Sequence, residues 1–190
     1  MLAADHGVGR QMAILITGAA GNIGRRLMAG LPETVGLDRI AGSDIHADLG
    51  TVNFRRDPLR AALAAAGAVI HLATNSDPKA PASLHWQAIG DTARLLAACA
   101  AAKVPRVVLP SSDWAEPGPG MRPNAYGHSK RVIEAMAAMY MQDTGLTAIA
   151  LRIGWVPGSA GELQRAPDWL AARYWDDARL VAEFRNALGL

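Results

Sequence analysis

The stretch that decides the fold runs from Met12 to Gly24 and reads MAILITGAAGNIG. Its first half, Met12–Thr17, is a short apolar run rich in isoleucine, which predicts a strand buried on both faces. The second half spaces three glycines as GxxGxxG, and a helix is predicted over Asn22–Gly30. Glycines at a strand-to-helix turn let the backbone approach a pyrophosphate, whose charge the helix N-terminus stabilises. The residues expected to contact a dinucleotide here are Gly18, Gly21, Asn22, Ile23 and Gly24.

An acidic residue is expected where the second strand ends. The weakly apolar run Arg39–Ser43 predicts that strand, and Asp44 follows it, twenty residues beyond Gly24. A carboxylate at this place accepts hydrogen bonds from the adenosine ribose and repels a 2′-phosphate. The predicted cofactor is therefore NAD rather than NADP.

Strands and helices alternate along the rest of the chain. This pattern predicts an α/β, doubly wound Rossmann fold with a mainly parallel sheet and helices on both faces. We expect residues 1–190 to form one domain, with residues 1–11 as a flexible tail. Further strands are predicted at Thr51–Phe54, Ala68–Leu72, Arg106–Leu109 and Thr147–Ile153, helices at Pro58–Gly67, Trp86–Ala102, Asn124–Thr144 and Asp176–Leu188, and a loop at Glu116–Pro123.

Composition excludes several classes of protein. Of 190 residues, 51% are hydrophobic and 19% charged, and the net charge is +2, which indicates a folded protein without a nucleic-acid surface. Cys99 is the only cysteine, which excludes an internal disulfide and a CxxC metal site. Residues 1–11 lack a signal-peptide core, and the longest uncharged apolar stretch, Ala61–Ala73, is too short to cross a bilayer. We expect a cytoplasmic protein with no metal, no nucleic-acid partner and no membrane partner.

A candidate catalytic group combines a phenol, an amine and a hydroxyl. Tyr126 and Lys130 stand four apart at the start of a predicted helix, and hence on one face. A phenol is a poor base at neutral pH, and a nearby ammonium stabilises its phenolate form. Lys130 can also hold the nicotinamide ribose. Ser112 follows the fifth strand, at the sheet edge where such folds bind ligands, and its hydroxyl can hydrogen-bond a reacting oxygen.

Together these motifs resemble the extended short-chain dehydrogenases/reductases, also called the NAD-dependent epimerase/dehydratase family, and within it the uronate dehydrogenase branch. The resemblance implies that Ser112 polarises the reacting oxygen, Tyr126 transfers the proton and Lys130 lowers the pKa of Tyr126. It also implies a homodimer in which the helices at Trp86–Ala102 and Asn124–Thr144 pair across a two-fold axis. The resemblance rests on these segments: Thr17–Gly24, Asp44, Asp57, His71, Leu72, Ala73, Ser111–Ser112, Tyr126–Lys130 and Leu151–Gly154. It implies that Asp57 contacts the adenine and that Leu72 and Ala73 also contact the cofactor.

The resemblance implies a small-molecule substrate that meets Ser76, Asp113, Trp155 and Arg165. An arginine suits a carboxylate because its guanidinium is a planar, two-pronged donor. Three positions depart from the uronate dehydrogenase pattern: Trp155 replaces a small hydroxyl residue, Asp113 replaces an asparagine, and Ala88 replaces an asparagine of the long helix. Asp113 should therefore repel a sugar acid unless Arg165 neutralises it. We also expect residues 155–190 to form a reduced substrate-side segment.

Three functions remain open from the sequence. The first is an NAD-dependent dehydrogenase acting on a sugar-like or other polar hydroxyl or carbonyl substrate. The second is a sugar epimerase or dehydratase that uses NAD transiently and returns it unchanged. The third is a non-catalytic NAD-binding protein, against which the combination of Ser112, Tyr126 and Lys130 argues, because a pure binder needs no proton-transferring phenol.

Overall fold

The computed structural model describes residues 13–118 and 122–190. Expectations for residues 1–12 and 119–121, including the predicted tail and part of the predicted loop, fall outside the described residues. Six strands and seven α-helices follow one another in the described chain. They are β1 (Ala13–Thr17), α1 (Asn22–Gly30), β2 (Thr34–Asp38), β3 (Ile45–His46), α2 (Leu59–Ala65), β4 (Ala66–His71), α3 (Ala82–Ala102), β5 (Arg106–Ser112), α4 (Ala125–Thr144), β6 (Thr147–Ile153), α5 (Ala160–Gln164), α6 (Asp168–Ala171) and α7 (Asp177–Leu188).

The strands form one parallel sheet in the order β3-β2-β1-β4-β5-β6. The predicted doubly wound Rossmann fold is confirmed. The strand order changes direction between β1 and β4, which are neighbours at the centre of the sheet. In such sheets the crevice outside the carboxyl ends of the strands at this point binds ligands.

Helices cover both faces of the sheet, and each face has its own apolar core. On one face, side chains from α2, α3 and α4 such as Leu63, Leu95 and Ile133 pack against Leu15 of β1 and Val107 of β5. On the other, α1 and α7 pack against the sheet through Leu27, Leu180 and Phe184. The strands are therefore buried on both sides, which explains their continuous apolar sequences.

The second strand is Thr34–Asp38, and the predicted strand at Arg39–Ser43 is wrong. Residues 39–43 form a turn in which the Ser43 hydroxyl donates to the Ile40 carbonyl and Gly42 has a φ of 95°. A positive φ of this size is incompatible with an extended strand. Asp38, rather than Asp44, therefore ends the second strand.

Other boundaries also differ from the prediction. The helix predicted at Pro58–Gly67 ends at Ala65, and the strand predicted at Ala68–Leu72 is Ala66–His71, because Ala66 already pairs with β1. The third strand is Ile45–His46 rather than Thr51–Phe54, because the amides of Thr51 and Val52 both donate to the Asp48 carbonyl and turn the chain. Helix α3 begins at Ala82, directly after Pro81 and four residues before the predicted start. Strand β5 continues beyond its predicted end to Ser112, in register with β6.

The segment after β6 has two parts. Residues 155–175 return to the carboxyl edge of the sheet, where the Trp155 amide donates to the Arg173 carbonyl over 2.8 Å and the Trp175 amide donates to the Trp155 carbonyl over 2.9 Å. Helix α7 packs beside α1 and completes the core of that face. The predicted substrate-side segment at residues 155–190 thus contains a core helix as well.

Two classes of feature are absent from the parts of the chain that the structure describes. No helix in residues 13–118 or 122–190 is long and apolar enough to cross a membrane. Within the same ranges, His, Cys, Asp and Glu side chains nowhere gather in a group of three or more that could hold a metal ion.

Candidate active site

A cleft of about 490 Å³ opens at the carboxyl edge of the sheet. A larger cavity of about 770 Å³ lies between α2 and α3, but alanines and arginines dominate its lining and no predicted catalytic residue reaches it. The smaller cleft is the candidate site because the glycine loop and all three predicted catalytic side chains face it. Its lining is Gly18, Gly21–Gly24, Leu72, Thr74, Ser76, Pro78, Pro110–Trp114, Tyr126, Lys130, Ile153–Val156, Trp169, Leu170 and Arg173.

The glycine loop is shaped for close backbone approach. Gly18 has a φ of 74°, and a Cβ atom there would lie 2.7 Å from the Ala73 amide nitrogen. A Cβ atom at Gly24 would collide with the Gly18 carbonyl oxygen. Helix α1 begins after Gly21 with no side-chain cap, so its first amides are free to bind an anion. This cradle fits a pyrophosphate.

A buried hydrogen-bond chain fixes the strand ends beneath this loop. His71 Nδ1 lies 2.7 Å from the Thr17 hydroxyl, and His71 Nε2 lies 2.9 Å from the Thr92 hydroxyl. The Thr92 hydroxyl donates its proton to the Ala88 carbonyl, so Nε2 must donate to Thr92 and Nδ1 must accept from Thr17. Burial lowers the pKa of His71 to about 3, with the Lys130 charge acting in the same direction, which keeps the ring neutral.

The acid beside the glycine loop is Asp38. One oxygen of its carboxylate accepts from the Ala20 amide over 2.9 Å, and the other accepts from the Ile40 amide. The carboxylate of Asp44 instead accepts from the Gly36 amide within β2. The signal that could have found Asp38 is its distance of twenty residues from Gly18, the first glycine of the loop, rather than from Gly24.

The remaining predicted cofactor residues divide between the cleft and the surface. Leu72 lines the cleft, and the Ala73 backbone abuts Gly18. Asp57 is exposed and forms an ion pair of 3.0 Å with Arg60, away from the cleft lining. The structure therefore does not bring Asp57 to the site that the resemblance implies.

The three predicted catalytic side chains meet in the cleft, as their positions on the elements require. Ser112 is the last residue of β5, and Tyr126 and Lys130 occupy successive turns of α4. The Asn124 side chain caps this helix by accepting from the Gly127 amide. The Lys130 ammonium lies 5.2 Å from the centre of the Tyr126 ring.

Burial sets the electrostatics of this group. It raises the pKa of Tyr126, and a hydrogen bond with Ser112 partly offsets that rise. It lowers the pKa of Lys130 to about 8, although the ammonium donates to the Pro110 carbonyl over 3.1 Å. Lys130 is therefore mostly protonated near neutral pH and loses its proton as the pH rises past about 8. Below that pH its charge favours the phenolate form of Tyr126.

A second network holds α4 in place. The Arg152 guanidinium on β6 makes two hydrogen bonds to the Glu134 carboxylate, which also accepts from the Ser111 hydroxyl over 2.6 Å. Hydrogen bonding to Arg152 keeps the pKa of Glu134 below its usual value. Glu134 lies one turn beyond Lys130, so this network fixes the helix that carries Tyr126 against β5 and β6.

The arginine in the cleft lining is not the one that the sequence predicts. Ser76, Asp113 and Trp155 line the cleft as predicted, but Arg165 is exposed and lies outside the lining. Arg173 lines the cleft and forms a half-exposed ion pair of 3.5 Å with Asp113. No motif surrounds Arg173, so only the folded path of residues 155–175 reveals it.

Solved structures with the same fold include three with bound NAD. The UDP-glucose 4-epimerase of Thermus thermophilus is 24% identical with a TM-score of 0.61, over 77% of this chain and 56% of that one. MoeE5, solved with UDP-glucose and NAD, is 29% identical with a TM-score of 0.64, over 76% of this chain and 55% of that one. A short-chain dehydrogenase/reductase superfamily protein from Agrobacterium tumefaciens is 23% identical with a TM-score of 0.64, over 93% and 59%.

The chain thus spans little more than half the length of these three proteins. Among curated proteins, none matches the sequence. Residues 14–175, from β1 to the end of the substrate side of the cleft, match a single family along their whole length. The chain belongs to the NAD dependent epimerase/dehydratase family.

Proposed function

We propose that this chain is an NAD-dependent oxidoreductase that acts on a sugar-like or other polar hydroxyl or carbonyl substrate. The observation that carries the proposal is the convergence of Ser112, Tyr126 and Lys130 on the cleft that the glycine loop also lines. A cofactor cradle and an acid–base group within one cleft are what hydride transfer to or from a substrate requires. In this proposal residues 13–190 act as one NAD-binding domain.

The cofactor would lie along the carboxyl ends of the central strands. Its pyrophosphate would meet the free amides at the start of α1, and its adenosine ribose would meet the Asp38 carboxylate. Lys130 would hold the nicotinamide ribose. The Asp38 charge favours NAD over NADP, because a 2′-phosphate would bring like charges together.

The chain's own residues would handle the proton. In the oxidative direction the Tyr126 phenolate would accept the proton of the substrate hydroxyl. NAD, when bound, would supply the acceptor for the hydride of the carbon that bears this hydroxyl. The Ser112 hydroxyl hydrogen-bonds the reacting oxygen and keeps it beside Tyr126. The Lys130 ammonium stabilises the phenolate before transfer, which offsets the cost of its burial.

The substrate would meet Ser76, Asp113, Trp155 and Arg173. Because Arg173 pairs with Asp113, the carboxylate is compensated within the cleft and repels an anionic substrate less than the sequence predicts. Trp155 and Trp169 contribute flat apolar surface to the same wall. These features favour a substrate with a flat or ring-shaped body and a reactive hydroxyl or carbonyl.

The second candidate is a sugar epimerase or dehydratase that returns NAD unchanged. It is favoured by the likeness to the Thermus UDP-glucose 4-epimerase and to MoeE5 solved with UDP-glucose. The proton-transfer group serves either reaction, so products distinguish them. Accumulation of NADH indicates net oxidation, and an isomerised or dehydrated sugar without NADH indicates the alternative.

The chain would also form a homodimer through α3 and α4. These helices pack side by side, and each carries a large exposed hydrophobic side chain, Trp86 at 68% exposure on α3 and Met139 at 66% on α4. Burial of such side chains against a second copy would remove apolar surface from water.

The first prediction concerns the cofactor. The chain should bind NAD at least about tenfold more tightly than NADP, a difference of about 1.4 kcal/mol, because of the Asp38 charge. Asp38→Asn keeps an acceptor for the Ala20 amide but removes the charge, so it should reduce the difference between the affinities for NAD and NADP. Calorimetric titration measures both affinities. Asp57→Ala is the control and should change neither the affinity for NAD nor that for NADP. Equal affinities for the two cofactors in the unaltered protein would contradict the prediction.

The second prediction concerns proton transfer. Tyr126→Phe should keep NAD binding and lose turnover by about 10²–10⁴-fold, the usual contribution of a general acid or base. The measurement is NADH absorbance together with analysis of the sugar products, across a panel of sugars, sugar acids and UDP-sugars. Tyr140→Phe is the matched control on the same helix, because the Tyr140 hydroxyl has no hydrogen-bond partner among the described residues. Unchanged turnover in Tyr126→Phe would remove Tyr126 from the mechanism, and NAD binding without turnover of any panel member would favour a non-catalytic binder.

The third prediction concerns assembly. Light scattering at micromolar concentration should give the mass of a dimer, and Trp86→Glu should shift the protein toward the monomer by placing a charge in the interface. Trp169→Glu changes a tryptophan of similar exposure, 57%, outside α3 and α4, and should leave the mass unchanged. A monomeric mass for the unaltered protein is the contrary result.

A further inference from the structure

His85 is a buried polar side chain that the proposed mechanism does not use. It lies in the first turn of α3 and is 3% exposed. Neither of its ring nitrogens has a hydrogen-bond partner among the described residues. The other buried side-chain atom of this kind in the described residues, the Tyr140 hydroxyl, lies farther along α4. His85 is thus an exception to the rule that buried polar groups are paired.

The His85 ring packs directly against the Tyr126 ring. The ring centroids are 5.9 Å apart and the planes are inclined at 62°, an edge-to-face arrangement. An apolar ring would provide the same packing without leaving two buried nitrogens unpaired, which costs stability. An imidazole kept at this cost, in contact with the proposed proton-transfer phenol, indicates a role beyond packing.

We propose that His85 is a positioning residue for Tyr126. Its ring fixes the phenol by edge-to-face packing, and its unpaired nitrogens supply polar surroundings that the phenolate form of Tyr126 requires. The proposal rests on the role proposed for Tyr126, because a tyrosine that never ionises would need no such support.

The other groups around Tyr126 leave a place for this role. Lys130 approaches the ring from the next turn of α4, and the Ser112 hydroxyl reaches it from β5. Asp113 and Arg173, the other charged residues in the described lining of the cleft, pair with each other. On the side of α3, the ring that contacts Tyr126 is His85. Replacing the imidazole by an apolar ring should therefore make ionisation of Tyr126 harder.

The test measures the ionisation of Tyr126 directly and needs no substrate. The protein contains three tyrosines. Full-length protein labelled with 3-fluorotyrosine, whose phenol is more acidic than that of tyrosine, gives one ¹⁹F resonance for each, and Tyr126→Phe assigns the one that matters. His85→Phe should raise the titration midpoint of Tyr126 by about half a pH unit or more, since the phenolate loses polar surroundings. His85→Gln, which keeps a polar side chain, should shift it less.

The melting temperature and a matched control variant distinguish an effect of His85 on Tyr126 ionisation from an effect of packing alone. His85→Phe should melt at the same temperature as the unaltered protein or higher, because it removes unpaired buried nitrogens. His128→Phe makes the same change at an exposed position two residues from Tyr126 and should leave the midpoint unchanged. If His85→Phe fails to fold, His85→Leu takes its place with the same expected rise. An unchanged Tyr126 midpoint in the folded variant, or an equal rise in His128→Phe, would overturn the proposal, whatever the turnover assays show.

Discussion

The hydrogen-bond chain from Thr17 through His71 to Thr92 joins the two central strands to α3, and the geometry of the cleft depends on it. The Thr17 oxygen also lies 3.3 Å from the Leu72 amide and 3.4 Å from the Ala73 amide, so the two strand ends share one anchor. These hydrogen bonds require a neutral imidazole, and the burial of His71 keeps its ring neutral. With the strand ends fixed, Gly18 sits against Ala73 at a distance that only a glycine permits.

Hydrogen bonds also fix the acid–base half of the cleft, on the same face of the sheet but at the neighbouring strands β5 and β6. Burial opposes charge on both Tyr126 and Lys130. The Lys130 ammonium lies 5.2 Å from the centre of the Tyr126 ring, and opposite charges this close favour one another. The position of this pair depends on the bonds that Glu134 makes to Ser111 and Arg152, which hold α4 against β5 and β6. The proposed chemistry depends on two fixed parts. The glycine loop lies at the ends of the central strands, and the buried Tyr126–Lys130 pair lies on α4.

The sequence predicted those parts of the site whose geometry is local. The three glycines lie within one turn, and Tyr126 and Lys130 lie on one face of one helix, so their sequence spacing is enough to predict their relative positions. The structure places both groups in the cleft as the spacing predicts. The sequence predicts Asp44 as the acid because residues 39–43 have the composition of a weak strand, whereas they form a turn with a positive φ at Gly42 and the strand ends at Asp38. Arg173 and His85 could not be predicted, because the ion pair with Asp113 and the contact with Tyr126 arise only when distant segments pack together.

NAD should occupy the cleft at the carboxyl edge rather than the larger cavity between α2 and α3. Amide hydrogen exchange measured with and without NAD tests this most directly, because the two places lie on different segments. The account predicts slower exchange at Gly18–Gly24 and at residues 72–74, with no change at residues 52–55 beside α2. Protection confined to residues 52–55 and α3, or no protection at a saturating NAD concentration, would contradict it.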